Sequence, residues 1–158
     1  MPIYMKYDTI QGDATAEGHE KWIELNSCQW GIGRGISSPT GGSNDRESSA
    51  PSVSEVVVTK NTDVSSTKVL NEGYQGEGKD VQIDFCKTDK GKLEVYLTIT
   101  MNNTMISGYS LSSGGDRPTE SLSLNFTKVE FKNTNMGAAG DTGSPDSITY
   151  DLALAKVV

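Results

Sequence analysis

The chain has 158 residues, a formal net charge of −7 and a sequence pI near 4.7, and 34% of its residues are hydrophobic. This length is typical of one domain with a substantial core. The acidic balance argues against nucleic acid and anionic membrane surfaces as partners, because clustered Lys and Arg carry such binding. No apolar run is long enough for a transmembrane helix, and the N-terminus lacks a secretory signal pattern, so we expect cytoplasmic synthesis without membrane insertion.

The first 30 residues predict two strands. Apolar and polar residues alternate over residues 3–7, which indicates a half-buried opening strand. Residues 21–30 predict a second strand, in which the apolar parity changes between Leu25 and Cys28. This second strand is therefore expected to change the face that it buries.

The middle of the chain predicts a long loop, a buried strand and the only helix. Residues 31–51 are rich in Gly, Ser and Pro, and loops of this length are usually functional or disordered. Residues 53–60 are apolar on both sides, as in a fully buried strand. Residues 65–76 predict a helix that Ser65 or Ser66 caps at its start and a glycine ends.

The second half of the chain predicts strands separated by turns and one further loop. Residues 81–85 alternate cleanly, and an unusually long strand begins at Leu93 and extends to Leu111. Residues 133–145 predict a second long loop, and residues 148–154 predict the last strand. About seven strands joined mostly by short turns indicate a mainly β fold, an antiparallel barrel or sandwich with one short helix.

The most informative stretch extends from Arg117 to Phe131. Up to Phe126 its apolar residues alternate with polar ones, and after Phe126 the apolar positions move to the other side of the strand. A strand cannot turn its side chains over without a bulge or a strong twist, so the change has two explanations. Either a bulge lies near Thr127, or the second half buries Val129 and Phe131 against something outside its own core, such as another copy of the chain.

Several motifs resemble reactive sites, and each lacks a part that its chemistry needs. Asp-Thr-Gly-Ser at 141–144 spells the aspartic-protease tetrapeptide, but only a homodimer would supply the second copy that this chemistry requires. Gly-rich residues 31–35 lack the following helix that binds phosphate. His19, the one histidine, lies in a polar stretch that predicts an exposed loop or an interface hydrogen bond. Cys28 and Cys86 are expected to be free thiols packed as small apolar groups. We therefore expect no catalytic residue, cofactor or metal site.

Four stretches of the chain form one ordered pattern. The first extends from Gly12-Asp13 through His19 to Trp30-Gly31. The second extends from Val58-Thr59-Lys60 through Thr62-Asp63 and Ser65-Ser66 to Leu70. The third extends from Arg117-Pro118-Thr119-Glu120 to Val129, and the fourth is Tyr150-Asp151-Leu152. In this order they resemble the Hcp family, the tube proteins of bacterial type VI secretion systems. The chain departs from the family pattern where Cys28 replaces a second aromatic residue and where a proline is missing after Ser66.

The resemblance implies a small antiparallel β-barrel with one flanking helix and a long extended loop. It implies one tube domain over residues 1–158, without a C-terminal effector extension and without enzyme activity. Six copies would close into a ring, and rings would stack into a tube that a contractile sheath expels behind spike-tip proteins, with effector cargo in the lumen. The protein would be cytoplasmic before assembly and then be secreted without a signal peptide.

Three groups of residues are predicted to carry this assembly. By resemblance, Ser27 and Gln29 face the lumen, on the parity opposite Trp30. The 31–51 loop is predicted to stack rings, and the change of parity predicts the subunit interface. The stacking residues are Arg34, Ser37, Thr40, Asn44 and Arg46, and the interface residues are Val129 and Phe131.

Two other functions remain open from the sequence. A phage-type tail tube protein would share the fold and the ring. A small β-sandwich hydrolase or carbohydrate-binding module belongs to a different class, and a binding module would usually present exposed aromatic residues. Both tryptophans here, Trp22 and Trp30, fall within one predicted strand.

Overall fold

The computed structural model describes residues 1–38, 41, 48–136 and 142–158. Within them the chain forms one helix, a branched antiparallel sheet of ten strands and a separate two-stranded ribbon. The elements are β1 Ile3–Tyr7, β2 Ile23–Leu25, β3 Ser27–Gln29, β4 Ile32–Gly33, β5 Ser52–Val53, β6 Val56–Asn61, α1 Ser66–Gln75, β7 Lys79–Asp89, β8 Lys92–Ser112, β9 Thr119–Asn125, β10 Lys128–Met136, β11 Thr142–Asp151 and β12 Lys156–Val157.

The ten strands form two layers that share β8. The long sheet has the order β12-β11-β10-β8-β7-β1-β2, and the short sheet contains β3, β6, β9 and residues 105–112 of β8. Both layers direct apolar side chains into one core, which includes Met5 and Ile83 from the long sheet and Val58 and Leu122 from the short sheet. Burial of each such side chain stabilises the fold by about 1.5–3 kcal/mol. The predicted mainly β, barrel-like fold is confirmed, although the sheet does not close on itself.

The regular alternating segments are confirmed as elements. The opening strand is β1, the long strand is β8 with its 21 residues, and the predicted helix is α1. Ser65 occupies the predicted N-cap position, but its side chain makes no capping hydrogen bond. The Ser65 hydroxyl donates to Asp63 instead, and the Ser66 hydroxyl donates to Glu120.

The predicted second strand is two strands that belong to different layers. β2 pairs with β1 in the long sheet, and β3 pairs with β6 in the short sheet. The chain crosses between them at Asn26, whose backbone N–H donates to the Thr59 carbonyl at 2.7 Å. The change of parity in this segment therefore results from a change of sheet.

The stretch from Arg117 to Phe131 is divided in the same way. β9 lies in the short sheet and β10 in the long sheet, and the chain crosses between them at Phe126 and Thr127. Phe126 is 4% exposed and Val129 is 2% exposed, so both halves bury apolar side chains in the core of the same chain. The parity change thus has an internal cause, which neither of the two sequence-based explanations included.

The loop predicted over residues 133–145 is wrong for most of its length. β10 continues to Met136, β11 begins at Thr142, and Asn133 of β10 pairs with Asp146 of β11. Residues 137–141 of the predicted loop lie outside the described residues. Asn133, Asp146 and their neighbours Lys132 and Ser147 are exposed, so this part of the strand pair shows no apolar alternation from which a strand could be predicted.

Candidate assembly surfaces

The exposed side of the short sheet carries uncharged side chains in its central rows, many of them Ser and Thr, and we call it the hydroxyl face. It comprises the outward residues of β3, β6, β9 and residues 105–112 of β8. The strand register places Ser27, Thr59, Ser121 and Ser110 side by side in one row. The Ser27 and Thr59 hydroxyl oxygens are 2.5 Å apart. Cross-strand Ser and Thr pairs of this kind stabilise a sheet by hydrogen bonding.

Both residues predicted to face a lumen lie on the hydroxyl face. Ser27 and Gln29 are exposed, whereas Cys28 between them is half-buried and packs against the core. The predicted parity of β3 is therefore confirmed. Whether this face lines a lumen depends on assembly and stays a prediction.

The short sheet has an open edge on each side. In the described part of the chain, β3 pairs only with β6, and residues 105–112 of β8 pair only with β9. Edge strands present unpaired backbone N–H and C=O groups, which another strand can satisfy. The hydroxyl face is therefore bordered by two edges that are suited to contact neighbouring molecules.

The predicted stacking loop begins and ends in a ribbon, which we call the arm. β4 pairs with β5, and an isolated bridge joins Ile36 to Ser48 further out. Ile32 is 67% exposed and Ile36 is 49% exposed, so the arm carries apolar side chains on its surface. Arg34 and Ser37 are also exposed. Thr40, Asn44 and Arg46 lie outside the described residues.

An apolar groove of about 310 Å³ lies between the arm and the long sheet. On its floor, Trp30 and Phe131 stack with ring centroids 6.3 Å apart. Val129 is 2% exposed and belongs to the core of its own chain, so it has almost no surface for a neighbour. Of the two predicted interface residues, only Phe131 is half-buried at this surface. The groove is also lined by Ile32, Arg34, Pro51, Val53, Ile148, Tyr150 and Val157.

A buried ion network joins the short sheet to the start of α1. Lys60 and Glu120 are 0% exposed and form a cross-strand pair, with 2.9 Å between Lys60 Nζ and Glu120 Oε2. Lys60 Nζ also lies 2.9 Å from Asp63 Oδ1. Glu120 accepts hydrogen bonds of 2.6 Å from the hydroxyls of Ser66 and Tyr109. One lysine thus faces two carboxylates, and the positive end of the α1 dipole favours the excess negative charge.

These contacts shift two pKa values in the network. Burial alone would raise the pKa of Glu120, but hydrogen bonds from Ser66, Tyr109 and Lys60, together with the charge of Lys60, lower it below its ordinary value. Burial and the nearby Glu120 carboxylate raise the pKa of Tyr109 to about 12. Glu120 is therefore held as a carboxylate, and Tyr109 as the hydrogen-bond donor that satisfies it.

A second buried polar cluster surrounds His19, and it contradicts the predicted exposed loop. His19 is 5% exposed, and its Nε2 lies 2.8 Å from Asp84 Oδ2. Its ring stacks on Tyr4 at 4.9 Å and meets Trp22 edge-on at 4.6 Å. The segment around His19 folds back over the long sheet, where the Ala14 N–H donates to the Trp22 carbonyl at 3.1 Å. The polar sequence around His19 concealed this packing.

The His19 cluster does not have the geometry of a cysteine nucleophile relay. Cys86 Sγ lies 3.9 Å from the same Nε2 atom that bonds Asp84, whereas such a relay uses the two ring nitrogens separately. Burial, assisted by the Asp84 carboxylate, raises the pKa of Cys86 to about 11. Burial also raises the pKa of Cys28 to about 11. Both cysteines are free thiols, as predicted.

Comparison with known proteins identifies the family of this chain. Residues 4–132 match the family described as "Type VI secretion system effector, Hcp". The chain belongs to the Hcp family. Its membership makes it a structural component of the type VI secretion system, a tube protein of a family that is secreted and self-associates. No curated protein sequence matches the chain.

Solved Hcp and type VI structures share the fold over almost the whole chain. A type six secretion system protein of unstated organism is 25% identical, has a TM-score of 0.89, and is covered over 99% of each chain. Hcp1 from Salmonella typhimurium is 19% identical, with a TM-score of 0.76 and coverage of 99% of this chain and 98% of that one. A type VI secretion system effector from Yersinia pestis is 23% identical, with a TM-score of 0.73 and coverage of 94% and 98%.

The Hcp-like stretches of the sequence meet in the ion network. Lys60 comes from the second stretch together with Asp63 and Ser66, and Glu120 comes from the third. Residues distant in sequence are thus joined in one buried cluster. A sequence signal for it existed, because Lys60 and Glu120 stand at positions that continue the apolar parity of β6 and β9.

The described residues contain no helix that is long and apolar enough to cross a membrane.

Proposed function

We propose that six copies of this chain close into a ring and that rings stack head to tail into a tube. The short sheet carries this proposal, because it exposes an uncharged polar face between two open edges. A sheet of this kind gains backbone partners on both edges when copies close into a circle. The tube would be expelled by a contractile sheath, behind spike-tip proteins, and would carry effector cargo.

In this assembly the hydroxyl face lines the lumen. Ser27 and Gln29 then contact the cargo, and their uncharged polar side chains favour binding that is weak enough to allow release. Phe131 and the apolar groove lie at the surface between subunits, where a neighbour buries the apolar side chains. Val129 supports this surface from the core.

The arm contacts the next ring. A head-to-tail contact uses two different surfaces and therefore continues into a filament. Arg34 and Ser37 are exposed on the described part of the arm, and Thr40, Asn44 and Arg46 complete the proposed stacking group.

The role of the chain is mechanical, and its work is done by assembly and expulsion. We propose that it is cytoplasmic before assembly, reaches the outside through the secretion apparatus, and acts as one tube domain.

Native mass spectrometry of the purified protein at micromolar concentration tests the ring. We expect a closed oligomer, with the hexamer as its main species, and an interface that buries on the order of 2,000 Å² between neighbours. A protein that remains monomeric under these conditions would contradict the proposal.

A further inference from the structure

The hydroxyl face differs in charge from the rest of the molecule. The chain has 14 Lys and Arg residues and 21 Asp and Glu residues. None of these charged residues lies in the two central rows of the face. The strand register forms one row from Ser27, Thr59, Ser121 and Ser110, and the other from Gln29, Val57, Ser123 and Gly108. Glu55 stands at the end of the face, before β6, and its carboxylate accepts a hydrogen bond from Ser107.

Arg117 stands at the opposite end of the face, before β9, and its side chain is 60% exposed. The charged groups of the long sheet and of the buried ion network do not lie on this face. The charged side chains of β10 lie in the long sheet, and the Lys60 and Glu120 pair lies on the core side of the short sheet, where Lys60 also contacts Asp63. Packed sheets are about 10 Å apart. At physiological salt the Debye length is about 8 Å, so exposed charges on the far side are largely screened at the hydroxyl face.

We infer that the hydroxyl face forms an electrically neutral lumen wall that selects its passenger by hydrogen bonding and not by charge. The partner that fits is a polypeptide whose contacting surface is rich in uncharged polar groups, whatever the sign of its net charge. Hydroxyl and amide groups both donate and accept hydrogen bonds, so they match such a surface without a fixed ion pair. The inference rests on the proposed function, because the face becomes a lumen only in a ring.

Thiol reagents of opposite charge are the simplest probes of this wall. A cysteine is placed at the centre of the face by Ser121→Cys, and rings of this variant are treated with a cationic and an anionic methanethiosulfonate at 0.15 M salt. The protein without the Ser121→Cys substitution measures the background reaction of the native cysteines. This background should be low because burial keeps Cys28 and Cys86 as thiols. The rate at which each reagent modifies the introduced cysteine is divided by the rate at which the same reagent modifies a small free thiol.

Two matched variants show that the probe detects charge. Ser110 is the cross-strand partner of Ser121, so Ser110→Asp and Ser110→Lys place opposite charges beside the introduced cysteine. One unit charge about 6 Å from the cysteine in water changes the rate of modification by a charged reagent by about threefold. The six copies of the charge in a ring act together. Ser110→Asp should favour the cationic reagent, and Ser110→Lys should favour the anionic one.

We expect the two normalised rates in Ser121→Cys rings to agree within about twofold, and each Ser110 variant to shift their ratio by about threefold or more in opposite directions. A larger preference for either reagent in the Ser121→Cys rings would overturn the neutral wall while leaving the tube function intact. A protein without rings, or a cysteine that is protected from both reagents, would overturn the proposed lumen and the neutral wall with it.

Discussion

Lys60 is the residue on which the ion network depends. Its ammonium group contacts both Glu120 and Asp63, and no part of its side chain reaches solvent. Removing one member of a buried ion pair leaves the other charge without its partner, which usually costs about 3–5 kcal/mol. The short sheet is thus joined to the start of α1 through a charge that lies entirely inside the protein.

We predict that Lys60→Met lowers the free energy of unfolding by about 3–5 kcal/mol, because two carboxylates remain buried beside α1. Urea denaturation at matched protein concentration measures this change. Lys68→Met is the control, since Lys68 is exposed on the same helix and its loss should cost no more than about 0.5 kcal/mol. Equal stabilities of the two variants would contradict the buried ion pair.

Glu120 gives the network a dependence on pH. Its pKa is lower in the folded protein than its ordinary value of 4.5, so its contribution to stability is fully present above that value and is lost as the pH falls through the lowered pKa. We predict that the stability difference between the wild-type protein and Glu120→Gln narrows as the pH falls from about 5 to about 3.

Denaturation curves measured across this pH range test the prediction. Glu77→Gln serves as the control, because Glu77 is exposed and its replacement should leave the pH dependence nearly unchanged. A difference between wild type and Glu120→Gln that stays constant down to pH 3 would show that the Glu120 carboxylate does not titrate with a lowered pKa.

At the scale of elements, the arm is the part whose function can be removed separately. It leaves the barrel after β3 and returns before β6, and backbone pairing between β4 and β5 closes its base. We predict that replacing residues 34–50 by a short Gly-Ser turn leaves rings intact and abolishes tubes and secretion. Native mass spectrometry detects the rings, and electron microscopy detects the tubes.

Normal tubes from the shortened chain would remove the arm from the stacking contact. Loss of the rings themselves would show that the arm acts within a ring. A useful control replaces Arg34 and Ser37 by Ala while the arm keeps its length, which separates the contribution of these side chains from that of the ribbon.

The alternation of apolar and polar residues predicted strands well where a strand stays in one sheet. β1 and β8 were predicted close to their observed bounds, and β7, which was predicted over residues 81–85, extends at both ends to Lys79–Asp89. The crossings at Asn26 and at Phe126 were visible only as changes of parity. Their cause could not be read from the sequence, because a bulge, a crossing or a partner molecule produces the same pattern.

Polar residues limited what could be predicted about the sites. Charged side chains in strands usually face solvent, so Lys60 and Glu120 were not predicted as a buried pair. His19 was misjudged for the same reason. By resemblance, Ser27 and Gln29 were placed on the parity opposite Trp30, and both are exposed. Their role in a lumen depends on other copies of the chain, which a single sequence does not describe.

At the scale of the whole molecule, the two layers have different roles. The short sheet presents the uncharged face and its open edges, while the long sheet carries the arm-side groove and the segment around His19. A phage-type tail tube would require the same closure into rings. Residues 4–132 match the Hcp family, which assigns the chain to the secretion system instead. A hydrolase or carbohydrate-binding module has no comparable support.

β8 also has a mechanical consequence. It is one strand of 21 residues, paired with β7 and β10 in its first half and with β9 in its second. A push on the long sheet therefore reaches the hydroxyl face through covalent bonds, without passing through a loop. Where the thrust is directed along the strand, its hydrogen bonds are loaded in shear and share the force. This is a suitable construction for a tube that is driven forward from behind.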